Sequence, residues 1–254
     1  MQSFAVQQRV VSALLKREML TRYGRNNIGF LWLFAEPMLF TLVMVAIWSV
    51  RKAGYFIPVV EFAVTGYPIA MIWRNSVNRG MNAISPNNAL LYHRNVKVLD
   101  IFASRIILEI VGSIASFAFL VLGFVFIGWM PLPEDLIKVI GGILLTAWLG
   151  LGMAMVLGAL AERYELLSKF WSPVSFFLFI SSGVFFIVDG LPPIAQEYVL
   201  MLPMVHGIEL VRDGYFGSLF NAHYDVAYLT FSCMFLTLAG LALVAQAGKK
   251  VQMQ

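Results

Sequence analysis

Five long apolar stretches, at 28–50, 104–129, 137–160, 170–188 and 224–247, and a weaker sixth at 56–73, divide the chain. Crossing the hydrocarbon of a bilayer takes about 20 mostly apolar residues, and each stretch meets or approaches that length. So much apolar surface has two solutions, a very large soluble helical core or a lipid environment. Composition decides between them. Of the 254 residues 60% are apolar and 13% charged, against about 25% charged in soluble domains, so half of the usual polar coat is missing. The expected fold is therefore an all-α polytopic membrane protein with six transmembrane helices, because helices satisfy their own backbone in lipid. The sixth stretch is weakest because Glu61 and Pro68 interrupt it before it runs into WRNSVNR. The first is preceded by basic residues but exceeds the about 7–15 residues of a signal-peptide apolar region and ends in SVRK, so it reads as an uncleaved span. The lone Cys233 lies in an apolar run and reads as packing.

Lysine and arginine set the orientation. With both termini cytoplasmic, only Arg51, Lys52, Lys138 and Arg212 of the 18 basic residues fall outside or at an outer edge. Ahead of the first span Val11, Leu15, Met19 and Tyr23 recur every four residues, beside Val10 and Leu14. That stripe fits an amphipathic helix lying on the inner leaflet with its cations toward anionic headgroups; a basic leader that only sets topology is the alternative. The chain is thus one transmembrane domain. Residues 1–27 form a cytoplasmic interfacial helix, 28–188 the first five spans, 189–223 a periplasmic re-entrant segment, and 224–254 the sixth span with a cytoplasmic tail.

Three polar or broken segments carry the functional expectations. RYGRNNIGFLWLFAEP, residues 22–37, runs from headgroup level into lipid and takes Glu36 and Pro37 with it. A carboxylate at that depth is costly unless it faces protein or water, so this span is expected to line an interior. The cytoplasmic connection 74–100 contains SPNNALLYHRN, in which Ser85 before Pro86 suits a helix cap. The short helix that follows reads as a docking surface, or else the loop is solvated and its cations fix topology. Between the fifth and sixth spans, IAQEYVLMLP and MVHGIELV are each too short to cross, and Pro192, Pro193 and Pro203 cut them. They read as paired short helices that lie in the interface or dip in and return, with Gly207 and Gly214 as joints.

Little in the chain suggests catalysis. The three histidines, His93, His206 and His223, stand at no metal-ligand spacing and have no cysteine beside them. His206 and Glu209 are three apart, which fits an acid–base pair or a plain helix-face contact. Arg105 and Glu109, four apart, read as a structural ion pair. A phosphate-binding GxxxxGK[ST] loop is missing, so nucleotide hydrolysis by that route needs a separate subunit.

Four patches, TRYGRNNIGFLWLFAEP, RNSVNRGMNAISPNNALLYHRNVKVLDIFASRIILE, FFLFISSGVFFIVDGLPP and LPMVHGIELVRDGYF, resemble the membrane subunit of ABC-type exporters of bacterial capsular polysaccharide, the KpsM type. The resemblance implies a transport subunit, not an enzyme, in the bacterial inner membrane. It implies a homodimer on two cytoplasmic ATPase subunits that carry the ATP and Mg, this chain holding no cofactor. It also implies a lipid-linked acidic polysaccharide as cargo, passed to a periplasmic co-polymerase or adaptor and an outer-membrane channel, with no nucleic acid involved. On that footing Arg22, Tyr23, Arg25, Trp32, Phe34, Glu36, Trp73, Arg74 and Arg79 are expected along the substrate path. Asn87, Leu90, Leu91, Tyr92, Arg94 and Lys97 are expected to contact the ATPase, and His206, Glu209 and Arg212 to form an outer gate. An export permease for another cargo (another polysaccharide, teichoic acid, a drug or a lipid) shares this architecture. A membrane enzyme acting on lipid-linked sugar through His206 and Glu209 is the rival from a different class.

Overall fold

The computed structural model describes residues 2–23, 28–50, 58–87, 91 and 96–252, and among these the chain is helical with no strand. The elements in order are α1 (Gln2–Tyr23), α2 (Ile28–Val50), α3 (Val59–Met81), α4 (Val98–Ile127), α5 (Leu136–Arg163), α6 (Glu165–Phe179), α7 (Pro193–Leu200), α8 (Pro203–Phe216) and α9 (Val226–Gln252). Among the described residues the six apolar stretches fall mostly on helices, 170–188 running past the end of its helix. By length and composition α4, α5 and α9 are each able to cross a membrane alone, and α7 with α8 form a further apolar pair bent by 107°.

Local chemistry explains where the helices begin and end. Asp135 caps α5, its carboxylate accepting from the backbone N–H of Ile137 and Lys138. Asp100 in the first turn of α4 accepts from Lys97 N at 2.8 Å. Pro193 and Pro203 open α7 and α8, where a missing N–H costs nothing. Helix α6 runs into a single π turn, Ile180–Val184, and breaks at Gly183, whose φ of +94° suits a residue without Cβ.

The weakest apolar stretch makes the most central helix. Every residue from Glu61 to Trp73 is buried, because α2, α4, α5, α8 and the end of α6 all pack on α3. Rather than stopping at residue 73, α3 continues unbroken through Pro68 to Met81 and carries Arg74 and Arg79 on its last turns. Helices α5 and α8 cross closely. A Cβ on Gly214 would lie 2.7 Å from Val139 N and 2.8 Å from Asp135 O, and one on Gly207 would collide with the Thr146 hydroxyl. These two glycines are close-packing residues, which corrects the expectation that they are joints. A second apolar cluster, with Val77, Ile101, Phe102, Met155 and Trp171, fills the end where α1 lies against α4.

Candidate functional site

An open polar cavity of about 510 Å3 lies between α2, the end of α3 and the start of α4. Helical spacing builds its wall. Asn75, Asn78 and Asn82 stand at i, i+3 and i+7 on α3, with Arg79 beside them, and face Glu36, Arg105 and Glu109. Glu36 is exposed to this cleft and accepts a hydrogen bond from the Tyr67 hydroxyl at 3.2 Å. Tyr67 in turn stacks on Phe40 of α2, ring centroids 3.8 Å apart. The carboxylate inside an apolar stretch therefore meets polar groups and open space. The cations pair between helices. Arg79 Nε donates to Glu109 Oε1 at 2.8 Å, and Arg105 lies 3.4 Å from Glu18 of α1. This replaces the expected Arg105–Glu109 pair within α4, since both side chains reach across to neighbouring helices.

Of the residues expected along the path, Glu36 and Arg79 line this cleft. Arg74 does not: its Nε donates to Ser175 Oγ on α6 at 3.1 Å, and its guanidinium sits 4.9 Å from the centroid of the Phe179 ring. Trp73 is fully buried, so it belongs to the core that wraps α3 and not to a lining. Trp32 is exposed, and Phe34 is half-buried with its ring 4.9 Å from that of Phe119. Arg25 and the side chains of Arg22 and Tyr23 lie outside the described residues.

The expected outer gate is a buried framework. His206, Glu209 and Arg212 are 4%, 0% and 0% exposed, because α8 is enclosed by α3, α5, α9 and the broken end of α6. Arg212 Nη1 donates to the carbonyls of Gly183 and Phe186, both at 2.8 Å, and its guanidinium lies 4.2 Å from the centroid of the Phe62 ring. Glu209 Oε1 is 4.0 Å away. The loop 217–225 is strapped onto this group. His223 N donates to Glu209 Oε2 at 3.2 Å, and Asp225 N donates to His206 Nδ1 at 2.9 Å. With Nδ1 accepting, the neutral ring carries its proton on Nε2, which donates to Leu200 O at 2.8 Å. His206 and Glu209 thus each hold backbone, an arrangement that leaves no acid–base couple between them. At the loop's exposed edge Asp189 accepts from Asn221 and pairs with His223. Those bonds hold its carboxyl below the usual carboxylate range.

In the expected ATPase-contact segment, Asn87 is buried, donating to Ala83 O and accepting from Arg17 of α1. Leu91 is half-buried against the second apolar cluster. Asn87 thus turns inward under Arg17 of α1, which corrects its place on a docking surface. Lys97 is exposed, and Leu90, Tyr92 and Arg94 lie outside the described residues. Sequence reasoning missed Asn75, Asn78 and Asn82. Their i, i+3, i+7 spacing is the signal, masked in the sequence because the polar run from Arg74 onward reads as a cytoplasmic connection.

The ABC-2 type transporter family model matches residues 9–216. Over its full length the chain is 44% identical to the capsule polysaccharide export inner-membrane protein CtrC of Neisseria meningitidis serogroup B, covering 96% of that protein. It is 43% identical to the protein of the same description, BexB, from Haemophilus influenzae, again over 100% of this chain and 96% of the relative. The polysialic acid transport protein KpsM of Escherichia coli is more distant, 28% identical over 94% of each chain. The resemblance read from four patches therefore holds across the whole chain.

Proposed function

The chain belongs to the ABC-2 type transporter family, and from that premise we propose that it is the membrane subunit of an ATP-driven exporter of capsular polysaccharide. The full-length identity of 44% to a capsule export protein carries this reading. The relatives are transport proteins, and the function proposed here is transport, not catalysis. ATP and Mg belong on a separate ATPase. Apolar helices fit an inner-membrane location like that of the relatives.

The finer assignment has six spans with both termini cytoplasmic, α1 on the inner leaflet, and α7–α8 re-entering from the outer side. Two copies form the path above two ATPases, and a periplasmic adaptor or co-polymerase and an outer-membrane channel take the polymer onward. The cargo is a lipid-linked acidic polysaccharide. The basic balance of the inner side supports that charge preference. Docking of the ATPase falls to the segment around Leu90, Tyr92, Arg94 and Lys97.

Deletion and complementation test the proposal. Loss of the chain should abolish surface polysaccharide while polymer accumulates inside, and the purified complex should contain the ATPase. Normal surface polymer without the chain would sink it. Accumulation of another polymer, such as a teichoic acid, would redirect the cargo and leave the transport reading in place.

A further inference from the structure

Cations at a membrane mouth point to an anion site, but the cleft beside Glu36 is built differently. Its two arginines already face carboxylates, Arg79 on Glu109 and Arg105 on Glu18. The Glu109 side chain is 3% exposed, so an anion at Arg79 would compete with a buried carboxylate. The groups left for a ligand are of mixed character. Asn78 is oriented by Trp171: an indole N–H only donates, so the amide oxygen must face it, at 2.6 Å, and the NH2 remains as a donor. Glu36 holds Tyr67 on one oxygen and keeps the other as an acceptor. Arg79 uses Nε for Glu109, its side chain is 40% exposed, and its terminal N–H groups are donors. Asn75 offers both a donor and an acceptor.

The wall therefore offers donors and acceptors together. A carboxylate only accepts, and a carboxylate or a phosphate would meet the Glu36 charge unfavourably. A hydroxyl both donates and accepts, and neighbouring hydroxyls on a ring match such a wall. The volume of about 510 Å3 lies within the about 300–1,000 Å3 of small-ligand clefts.

We propose that this cleft binds an uncharged, hydroxyl-rich sugar ring, held by Asn75, Asn78, Arg79 and Glu36. The inference rests on the export reading and narrows it: at this site the inner mouth reads hydroxyl geometry instead of negative charge.

The test uses the permease–ATPase complex in lipid nanodiscs carrying Asn82→Cys. Asn82 is exposed at the cleft and the native Cys233 is buried, so labelling by a water-soluble maleimide reports on the cleft. Methyl β-glucoside is the probe, with inorganic phosphate at matched concentration as the comparison. The glucoside should slow labelling severalfold and phosphate should not. Adding Asn75→Ala should raise the glucoside concentration needed by about tenfold, the worth of one net hydrogen bond. Slowing by phosphate alone would make the cleft an anion site and overturn the proposal, as would labelling that neither solute changes. Either failure leaves the export reading intact if deletion of the chain still abolishes surface polymer.

Discussion

Nη1 of Arg212 donates to the carbonyl oxygen of Gly183 across 2.8 Å, tying the enclosed helix α8 to the point where α6 breaks. The break frees carbonyls that an intact helix would have paired, and a buried cation collects them. Arg212→Met removes that donor set and leaves Glu209 buried beside nothing charged. The expected loss is about 3–5 kcal/mol, read as a lower thermal midpoint of the purified protein. Adding Glu209→Gln should recover part of it. If Arg212→Met melts like the parent, the pair does not hold α6 to α8.

Close packing of α5 on α8 makes Gly214 intolerant of any side chain. Gly214→Ala should cost about 1–3 kcal/mol through overpacking against the backbone of Asp135 and Val139. Gly141→Ala, also on α5 but with open space beyond, should be nearly neutral. Equal stability of the two variants would refute the packing assignment.

The ion pair between Arg79 and Glu109 joins α3 to α4 beside the cleft. Arg79→Glu sets two carboxylates together and should lower both stability and export. The swapped pair Arg79→Glu with Glu109→Arg should regain stability by about 1 kcal/mol relative to either single change. Export that recovers along with stability would mean the charges only brace the helices. Export that stays low would place Arg79 itself on the substrate.

The charge bias predicts sidedness. Single cysteines at Gln8 and Lys97 should label only from the cytoplasm, and one at Leu132 only from outside; all three positions are exposed. Asn87 is a poor reporter, since it is buried under Arg17. Labelling of Lys97→Cys from outside would reverse the topology.

Acid should loosen the strap over α8 only at low pH. The Asp189 carboxyl is depressed by bonds from His223 and Asn221. Its stabilisation is therefore present above the unfolded value of about 3.9 and is lost as pH falls through the lower folded value. Compared at one pH, amides 220–225 should exchange faster in Asp189→Asn than in the parent at neutrality, and the difference should vanish in strong acid. A difference that persists below that range would assign the effect to something other than this carboxyl.

How much of this was legible depended on what each residue answers to. Helix positions followed from runs such as 104–129, whose apolar length is a local property, and the family from four patches such as LPMVHGIELVRDGYF. The two short helices after residue 189 were equally readable, because Pro193 and Pro203 mark helix starts wherever they fall. Burial was not readable where it reversed polarity. His206, Glu209 and Arg212 look like a polar face, and only the enclosure of α8 turns that face inward. Trp73 and Asn87 failed for the same reason, since α5 and α1, which cover them, lie far away in sequence. Arg79 paired with Glu109 and not with a neighbour on its own helix, a choice made by helix packing.

The burial of α3 from Glu61 to Trp73 has a consequence for how the protein is made. This helix offers lipid a carboxylate, a proline and a tyrosine hydroxyl, and its hiding places on α5 and α8 are synthesised only after it. Until then α3 has only its neighbours α2 and α4 to shield it and is a poor candidate for leaving the insertion machinery alone. It must wait beside the translocation apparatus, or at the membrane surface, for the chain's second half. Truncations that end before α8 should therefore be degraded even though their most apolar helices are complete, which makes quality control sensitive to the arrival of α8.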